Sequence, residues 1–361
     1  MRFIMIGGFL GAGKTTTVGR LATHFQDQGL RVGIVTNDQA TDLVDTHTLR
    51  SQGFNVGEVA GACFCCNFNE LTDTTEKLQS DQHPDVILAE PVGSCTDLVA
   101  TVVRPLQHLH QDQYDVAPYG VILKPSHGKR ILSGAQNAGF SPKAAYIFEK
   151  QLEEADFVII NRIDQLSVEE VDELNDLLIA KYPNKTVIRM SAITGEGFED
   201  LIEVLDMPIA VGANNMELDY DIYAEGEAEL GWLNSSLTIT CNESLDIDQL
   251  VLDIVETLRS ELASQSAETA HLKTIAMADN QQAVANLVSS DSPAQLSLAS
   301  YSSAKELNLI VNARVAIDPV VLQKYVIEAV TECCTQRGAT ADFNETQSFR
   351  PGRPVPTHRI L

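Results

Sequence analysis

Three stretches of this chain carry residues whose types and spacing do chemistry. Gly8-Phe9-Leu10-Gly11-Ala12-Gly13-Lys14-Thr15 fits G-x-x-x-x-G-K-[ST]. Small residues let backbone N–H groups wrap a run of phosphates and the following helix start adds its positive end. Gly8, Gly11, Ala12 and Gly13 form this cradle. Lys14 reaches the β- and γ-phosphates, the Thr15 hydroxyl ligates Mg²⁺, and Thr16 continues the helix start beside them. Farther on, Cys63, Cys65 and Cys66 fall within four positions. Soft thiolates this close suit Zn²⁺, Cu⁺ or Co²⁺, and two or three of them leave a coordination position open for exchange. Read without context, the same run is equally a set of small buried cysteines or a redox pair.

A third set of residues selects the base. Asn161-Arg162-Ile163-Asp164 follows an apolar run, 156–160, at the strand end where open α/β sheets bind ligands. A carboxylate such as Asp164 accepts from both N1–H and the 2-amino group of guanine, a donor pair that adenine lacks. Alone, the tetrapeptide also reads as a turn capping a helix at Ser167. Behind the next strand, Ser191-Ala192-Ile193-Thr194-Gly195-Glu196-Gly197 is placed to close over the base through backbone amides. Between the two sites, Glu90-Pro91-Val92-Gly93 ends another apolar run. There Glu90 positions Mg²⁺ and the Gly93 amide meets the γ-phosphate and senses its loss.

These segments need a scaffold. Apolar runs at 3–7, 31–36, 85–89, 119–123, 156–160 and 186–190, with a further strand at 55–59, read as strands. Helical patterns over 14–28, 71–79, 96–103, 143–154 and 167–182 fall between them, and Gly29 closes the first. The alternation predicts an α/β domain over 1–206, a mostly parallel sheet flanked by helices. Residues 207–230 are expected to be an acidic linker, because 217–229 holds six acidic and no basic residues. A small α+β domain over 231–336 follows, with strands at 233–241, 272–278, 295–300 and 306–316 and helices at 246–263 and from Asp318. Residues 337–361 read as a tail or a strap over the surface.

Composition narrows the partners. The 361 residues carry 25 basic and 50 acidic side chains, a formal charge of −25. That balance argues against nucleic acid and against an anionic membrane surface. With no membrane-length apolar run and a start too short for a signal peptide, the cytoplasm is expected, where the seven cysteines stay reduced. Cys95, Cys241, Cys333 and Cys334 read as packing residues. His108 and His110, alternate residues on a strand, read as an exposed polar stretch that is at most an extra ligand pair.

Taken together, Gly8–Thr15, Gly61-Ala62-Cys63-Phe64-Cys65-Cys66, Glu90-x-x-Gly93 and Asn161–Asp164 resemble the CobW-like metallochaperone GTPases, relatives of UreG and HypB among the SIMIBI-class P-loop proteins. The resemblance is strong over 1–206, looser over 233–330, and absent from the last stretch. It implies a slow GTPase in which GTP and Mg²⁺ organise a C-x-C-C metal site and hydrolysis releases the ion, Zn²⁺ or Co²⁺, to a client metalloprotein. By position, Cys63, Cys65 and Cys66 take the transition metal, Lys14, Glu90 and Gly93 serve hydrolysis, and Asn161, Arg162, Asp164, Ser191 and Ala192 hold the base. Thr36-Asn37-Asp38 resembles the T-N-D of UreG and HypB, which makes Asp38 a second Mg²⁺-side ligand beside Thr15 and Glu90. Arg162 stands where lysine is usual, its aliphatic stem still able to cover the base. Relatives form nucleotide-dependent dimers, so a GTP-dependent homodimer is expected. Two other roles fit the same motifs: a chaperone for a corrinoid-dependent enzyme without transfer of a free ion, or a nucleotide- and zinc-sensing regulatory protein.

Overall fold

Short runs of β-branched and aliphatic residues, each followed by an amphipathic helix, set the architecture of the first half. The computed structural model describes residues 1–39, 44–134, 141–214, 216–279 and 281–361. The chain divides into two units, one made of Met1–Gln39, Thr48–Gly226 and Arg353–Leu361, the other of Ala40–His47 and Glu227–Gly352. The first unit holds strands β1 (Arg2–Gly8), β2 (Val32–Asn37), β3 (Asn55–Val59), β4 (Val86–Glu90), β5 (Asp115–Val116), β6 (Gly120–Leu123), β7 (Phe157–Ile160) and β8 (Thr186–Arg189). They pair in the order β3-β2-β4-β1-β6-β7-β8, with β5 beside β1, and every pairing is parallel.

Parallel strands need crossovers that cover both faces of the sheet, so the strands are apolar along their length. Residues 3–8 of β1 and all of β4 and β7 are buried. The helices are α1 (Lys14–Asp27), α2 (Val44–Ser51), α3 (Phe68–Gln82), α4 (Arg104–Leu109), α5 (Pro125–Leu132), α6 (Pro142–Glu154), α7 (Val168–Lys181), α8 (Phe198–Leu205) and α9 (Tyr220–Ala228). Val18, Leu21, Ala22 and Phe25 of α1 pack with Ile4, Ile6, Ile34 and Leu88 of the sheet in one cluster. In α7, Ser167 accepts the Glu170 N–H while Glu170 accepts the Ser167 N–H, a reciprocal cap that fixes the helix start.

The second unit is an antiparallel sheet of β9 (Gly231–Asp246), β10 (Thr269–Ala278), β11 (Gln281–Leu287), β12 (Gln295–Leu298), β13 (Ser303–Val315) and β14 (Ala339–Phe349), ordered β12-β11-β10-β13-β9-β14. Helices α10 (Ile247–Ser264) and α11 (Pro319–Thr335) share a core with this sheet, including Cys333 and Cys334. A second cluster joins Val44 at the start of α2 to Ile275, Val284 and Ile310. The Val44 N–H donates to Asn312 Oδ1 at 3.1 Å, and Lys273 pairs with Asp45 at 2.5 Å.

Several elements differ from the sequence reading. The acidic stretch expected to be a linker contains α9, held by Tyr223, whose side chain is fully buried. Its acids mask the helix because α9 has only a weak apolar face. The expected tail contains β14, which runs antiparallel along β9 from Ala339 to Phe349 as an edge strand with little burial and so little alternation. Strand β11 was also unread, its small alanines hiding the pattern. The helix expected over 96–103 is a π-turn, Val99–Val103, running into α4. His108 lies on α4 and His110 just past it, not on a strand. The first unit runs to Gly226 and regains 353–361, while 40–47 belongs to the second, so the expected boundary at 206 shifts. Among the described residues no helix is long and apolar enough to cross a membrane.

Candidate functional site

The phosphate loop leaves β1 at Gly8, where φ is +139° and an added Cβ would fall 2.7 Å from the Ile122 carbonyl oxygen. Only glycine fits there. Gly13, at φ +103°, precedes α1, and neither a capping side chain nor a first-turn acid occupies that helix start. An anion is the complementary occupant. Lys14 is buried, and Thr15 Oγ1 donates to Glu90 Oε1 at 2.9 Å. A hydroxyl paired with a carboxylate is a hard oxygen donor set that suits Mg²⁺. Asp38 directly follows β2, whose Thr36 is the register partner of Glu90 on β4, so both acids lie at adjacent C-terminal strand ends.

Asn161 sits at the end of β7 with its side chain fully engaged. Its Nδ2 donates to Ala12 O and its Oδ1 accepts from Ala192 N, both at 2.9 Å. It is thus a strut between the phosphate loop and the 191–197 loop. Arg162, at φ +65°, donates to Gly11 O at 3.3 Å, and exposed Asp164 follows on a short 3₁₀ turn. Arg20 of α1 holds the same loop by donating to Ala192 O at 2.7 Å and Ile193 O at 2.6 Å. The amides of Ala192, Thr194, Gly195 and Glu196 bond to Asn161, Ser191 and Thr194. The loop is expected to offer its amides to the base; those of Ala192, Thr194, Gly195 and Glu196 are here engaged in holding the loop's own shape.

Cys63, Cys65 and Cys66 occupy a turn in which Cys66 N and Asn67 N both donate to Cys63 O at 2.9 Å, just before α3. Their sulfurs lie 3.0 Å (63–65), 3.5 Å (63–66) and 3.6 Å (65–66) apart. A tetrahedral ion with sulfur bonds of ~2.3 Å sets its sulfurs about 3.8 Å apart, so small movements fit these three to one ion. Among the described residues no other group of three potential ligands converges in this way. Buried Asn37, at the end of β2, fixes the turn: its Nδ2 donates to Val59 O and Ala62 O, and its Oδ1 accepts from Phe64 N, all at 2.8 Å.

Cys95 belongs with these sulfurs. Expected as a packing residue, it is buried and hydrogen-bonds with Cys63 and Cys65. The three clustered thiols hold their protons unevenly. Hydrogen bonds from Cys65, Cys66 and Cys95 hold Cys63 well below the usual thiol range, while the bond to Cys63 pushes Cys65 up and drives Cys66 up to about 11. His108 and His110 are not in the cluster; the His110 ring packs near Phe68 and Tyr114.

One segment links the two sites. From Glu90 on Thr15, the chain passes Gly93, where an added Cβ would lie 2.9 Å from both Leu10 N and Lys14 Nζ. Two residues later it reaches Cys95. Helix α6 holds this segment from behind: Gln151 Nε2 donates to Gly93 O at 3.0 Å and Cys95 O at 2.8 Å, and Glu154 accepts from Thr96 Oγ1 and Val99 N. Neither residue was singled out in the sequence, where both look like ordinary helix polars.

Glu154 is fully buried, and desolvation raises its pKa to about 8 despite the Val99 and Thr96 hydrogen bonds. The proton therefore binds the folded state more tightly. Its stabilisation is complete below the ordinary value of 4.5 and is lost as pH rises through the folded value. Glu154→Gln keeps a neutral polar group, so its stability should gain on the wild type between about pH 4.5 and 8, by about 1.4 kcal/mol per pH unit, then level off, and its unfolding temperature should follow. Thermal unfolding across pH 4–9 measures this; a constant offset between the two proteins refutes it.

Sheet order, glycine turn, helix start and the Thr15–Glu90 pair define a parallel-sheet P-loop GTPase fold joined to a second, antiparallel unit. The chain belongs to the CobW/HypB/UreG family, whose nucleotide-binding domain matches residues 2–189. It is similar to the zinc chaperone YeiR of Escherichia coli, 27% identical over 173 residues that cover 47% of this chain and 49% of that protein. Likewise it is 27% identical over 243 residues to the zinc chaperone CobW of Pseudomonas aeruginosa, covering 58% and 59%. The chain thus spans about half to three-fifths of the length of these curated relatives. Among solved structures, HypB from Helicobacter pylori in complex with nickel aligns at a TM-score of 0.40 and 20% identity, covering 58% of this chain and 90% of that one. Zn(II)-bound YjiA GTPase from E. coli aligns at 0.39 and 13%, covering 91% and 98%.

Proposed function

We propose that this protein is a GTP-hydrolysing metallochaperone that binds a transition-metal ion, Zn²⁺ or Co²⁺, as cargo in its Mg²⁺–GTP state and gives it up to a client after hydrolysis. The observation that carries this reading is the continuous path from Thr15 and Glu90, past Gly93 against the phosphate loop, to Cys95 among the thiols. Cys63, Cys65 and Cys66 are the metal's converging sulfur ligands, Cys95, which hydrogen-bonds to Cys63 and Cys65, is taken as the fourth, and the zinc chaperones among the relatives support zinc as the first candidate.

Bound Mg²⁺ would be held by Thr15 and Glu90, with Asp38 on the same side, and would supply charge neutralisation on the phosphates. Lys14 and the Gly93 amide face the γ-phosphate, where positioning and fixed charge favour its transfer to water. No strong base is needed for a slow cycle. Asn161 and Arg20 keep the phosphate and base loops in register, and Asp164 selects guanine. While the γ-phosphate holds Gly93, Cys95 stays with the other sulfurs; once the phosphate leaves, the segment is free to withdraw one ligand. A four-sulfur site that becomes a three-sulfur site with an open position is ready for exchange.

Competition titration of Zn²⁺ and Co²⁺ tests this reading, first in Mg²⁺ with a non-hydrolysable GTP analogue, then in Mg²⁺ with GDP. The expected result is thiolate charge-transfer absorption and at least tenfold tighter metal binding with the GTP analogue, about 1.4 kcal/mol of coupling. Equal affinities would uncouple the sites and favour a chaperone for a corrinoid-dependent enzyme or a sensor. A missing thiolate signal would remove the cargo site altogether.

A further inference from the structure

The segment Arg353–Leu361, which no family motif covers, lies within the first unit and runs along the thiol turn. Val355 N donates to Cys66 Sγ at 3.3 Å. Thr357 N donates to Cys65 O at 2.8 Å, and its hydroxyl to Cys66 O at 2.9 Å. His358 packs edge-on against Phe68, the first residue of α3. Beyond the thiols, the segment reaches the stretch that descends from Cys95. Arg359 Nε donates to Asp97 Oδ2 at 2.7 Å, and Ile360 N to Ala100 O at 2.8 Å.

Two features show that this is built rather than incidental. Asp97 has a positive φ, +66°, and its side chain is only 3% exposed, with the Tyr220 hydroxyl and Arg359 on the same carboxylate oxygen. Leaving a buried carboxylate without a partner is costly, and Arg359 supplies one. Pro354 and Pro356 flank Val355, so the bond to sulfur comes from an extended stretch whose neighbouring positions have no N–H to offer.

We propose that residues 353–361 are a strap that closes the thiolate site, joining the Cys65–Cys66 turn to the Asp97–Ala100 segment, and that the metal leaves only when the strap lifts. This rests on the metal-cargo reading of the four cysteines and adds its gate. Cys66, the half-buried member of the cluster, is the exit. The Val355 N–H settles electron density on its sulfur, and the Thr357 and Arg359 anchors hold that N–H in place. Because the strap touches both thiol-bearing segments, withdrawal of Cys95 after hydrolysis pulls on Asp97 and loosens the Arg359 anchor. Nucleotide state and exit are then linked by one ion pair.

The test uses the full chain loaded with Co²⁺ in Mg²⁺ and a non-hydrolysable GTP analogue, then mixed with excess chromophoric chelator. Arg359→Ala and Thr357→Ala are expected to release cobalt at least tenfold faster, with charge-transfer intensity per cobalt unchanged, since the strap supplies no ligand. Val355→Pro removes that N–H within a stretch already flanked by prolines and is expected to shift the charge-transfer band to longer wavelength. In the metal-free protein the same variants should speed alkylation of Cys66 by a maleimide. Circular dichroism and the unfolding temperature verify that each variant is folded. Release and alkylation rates within twofold of the wild type would overturn the strap while leaving metal binding intact. Failure of the cargo reading is distinct: it shows in the wild type, as no thiolate absorption at all.

Discussion

Cys95→Ser is expected to cut Co²⁺ charge-transfer intensity by about one quarter, the share of one sulfur in a four-coordinate site. It should weaken Zn²⁺ binding in the GTP state roughly 10- to 100-fold, and leave the GDP state nearly unchanged. The asymmetry follows from position. Cys63, Cys65 and Cys66 lie on one turn fixed by Asn37, so their mutual spacing is set locally. Cys95 comes from a different strand end and reaches the cluster only through the conformation of Gly93–Asp97. Removing it should therefore erase the difference between nucleotide states as well as one ligand. Cys241→Ser, which alters a sulfur in the second unit, is the matched control. If Cys95→Ser kept full intensity and full nucleotide dependence, Cys95 would be packing against the site rather than ligating in it.

That residue also shows where the sequence ran out. Motifs that are local in sequence were legible: the glycine turn between a strand and a helix, the three clustered cysteines, and the acid and glycine after β4. Each is a backbone geometry or a ligand set written within a few positions. Cys95 was not, because an isolated cysteine among Ser94 and Thr96 is indistinguishable from filler until the fold sets β4 beside β2, whose other neighbour is β3. Its one available signal was its place two residues beyond Gly93. Arg20, and the bracing parts played by Asn37 and Asn161, are hidden in the sequence for a related reason. Their work is to bond backbone groups of distant loops, and a polar side chain does not announce which carbonyl it will meet. Asn161, expected at the base, also ties the loops around that site through its two hydrogen bonds.

Secondary structure follows the same pattern. Buried parallel strands such as β4 and β7 are continuous apolar runs and were placed closely, because both faces are covered. Strand β14 is polar and lies at the sheet edge, so its pairing with β9 rather than its own periodicity defines it, and the acids of α9 hide that helix's weak apolar face. The short stretch 44–47 is a special case. It follows the strand that ends at Asn37, yet Val44 packs with Ile275, Val284 and Ile310, and Asp45 pairs with Lys273. A cluster formed across more than two hundred residues of sequence leaves no trace in a local window.

Gly93→Ala should separate nucleotide binding from everything that depends on the γ-phosphate. The added methyl would sit 2.8–2.9 Å from Leu10 Cδ2, Leu10 N and Lys14 Nζ. One of those atoms is backbone of the phosphate loop, and the lysine is itself buried, so the neighbours cannot all give way. The segment must move outward instead, taking the Gly93 amide from the γ-phosphate and stretching the Gln151 bonds to Gly93 O and Cys95 O. GDP affinity is expected to stay within a fewfold of wild type, because Lys14, Thr15 and the Gly8–Gly13 turn remain. Hydrolysis should fall by about 10²-fold or more, the scale for losing one preorganised donor. Metal affinity with the GTP analogue should drop to the GDP value, since displaced Gly93 carries Cys95 with it. Nucleotide titration, phosphate release and Co²⁺ absorption on the one variant read the three effects separately. Retained coupling of metal to nucleotide in a Gly93→Ala protein that no longer hydrolyses would show that the signal reaches the thiols by another route, with the Asp38-to-Asn37 end of β2 the next segment to test.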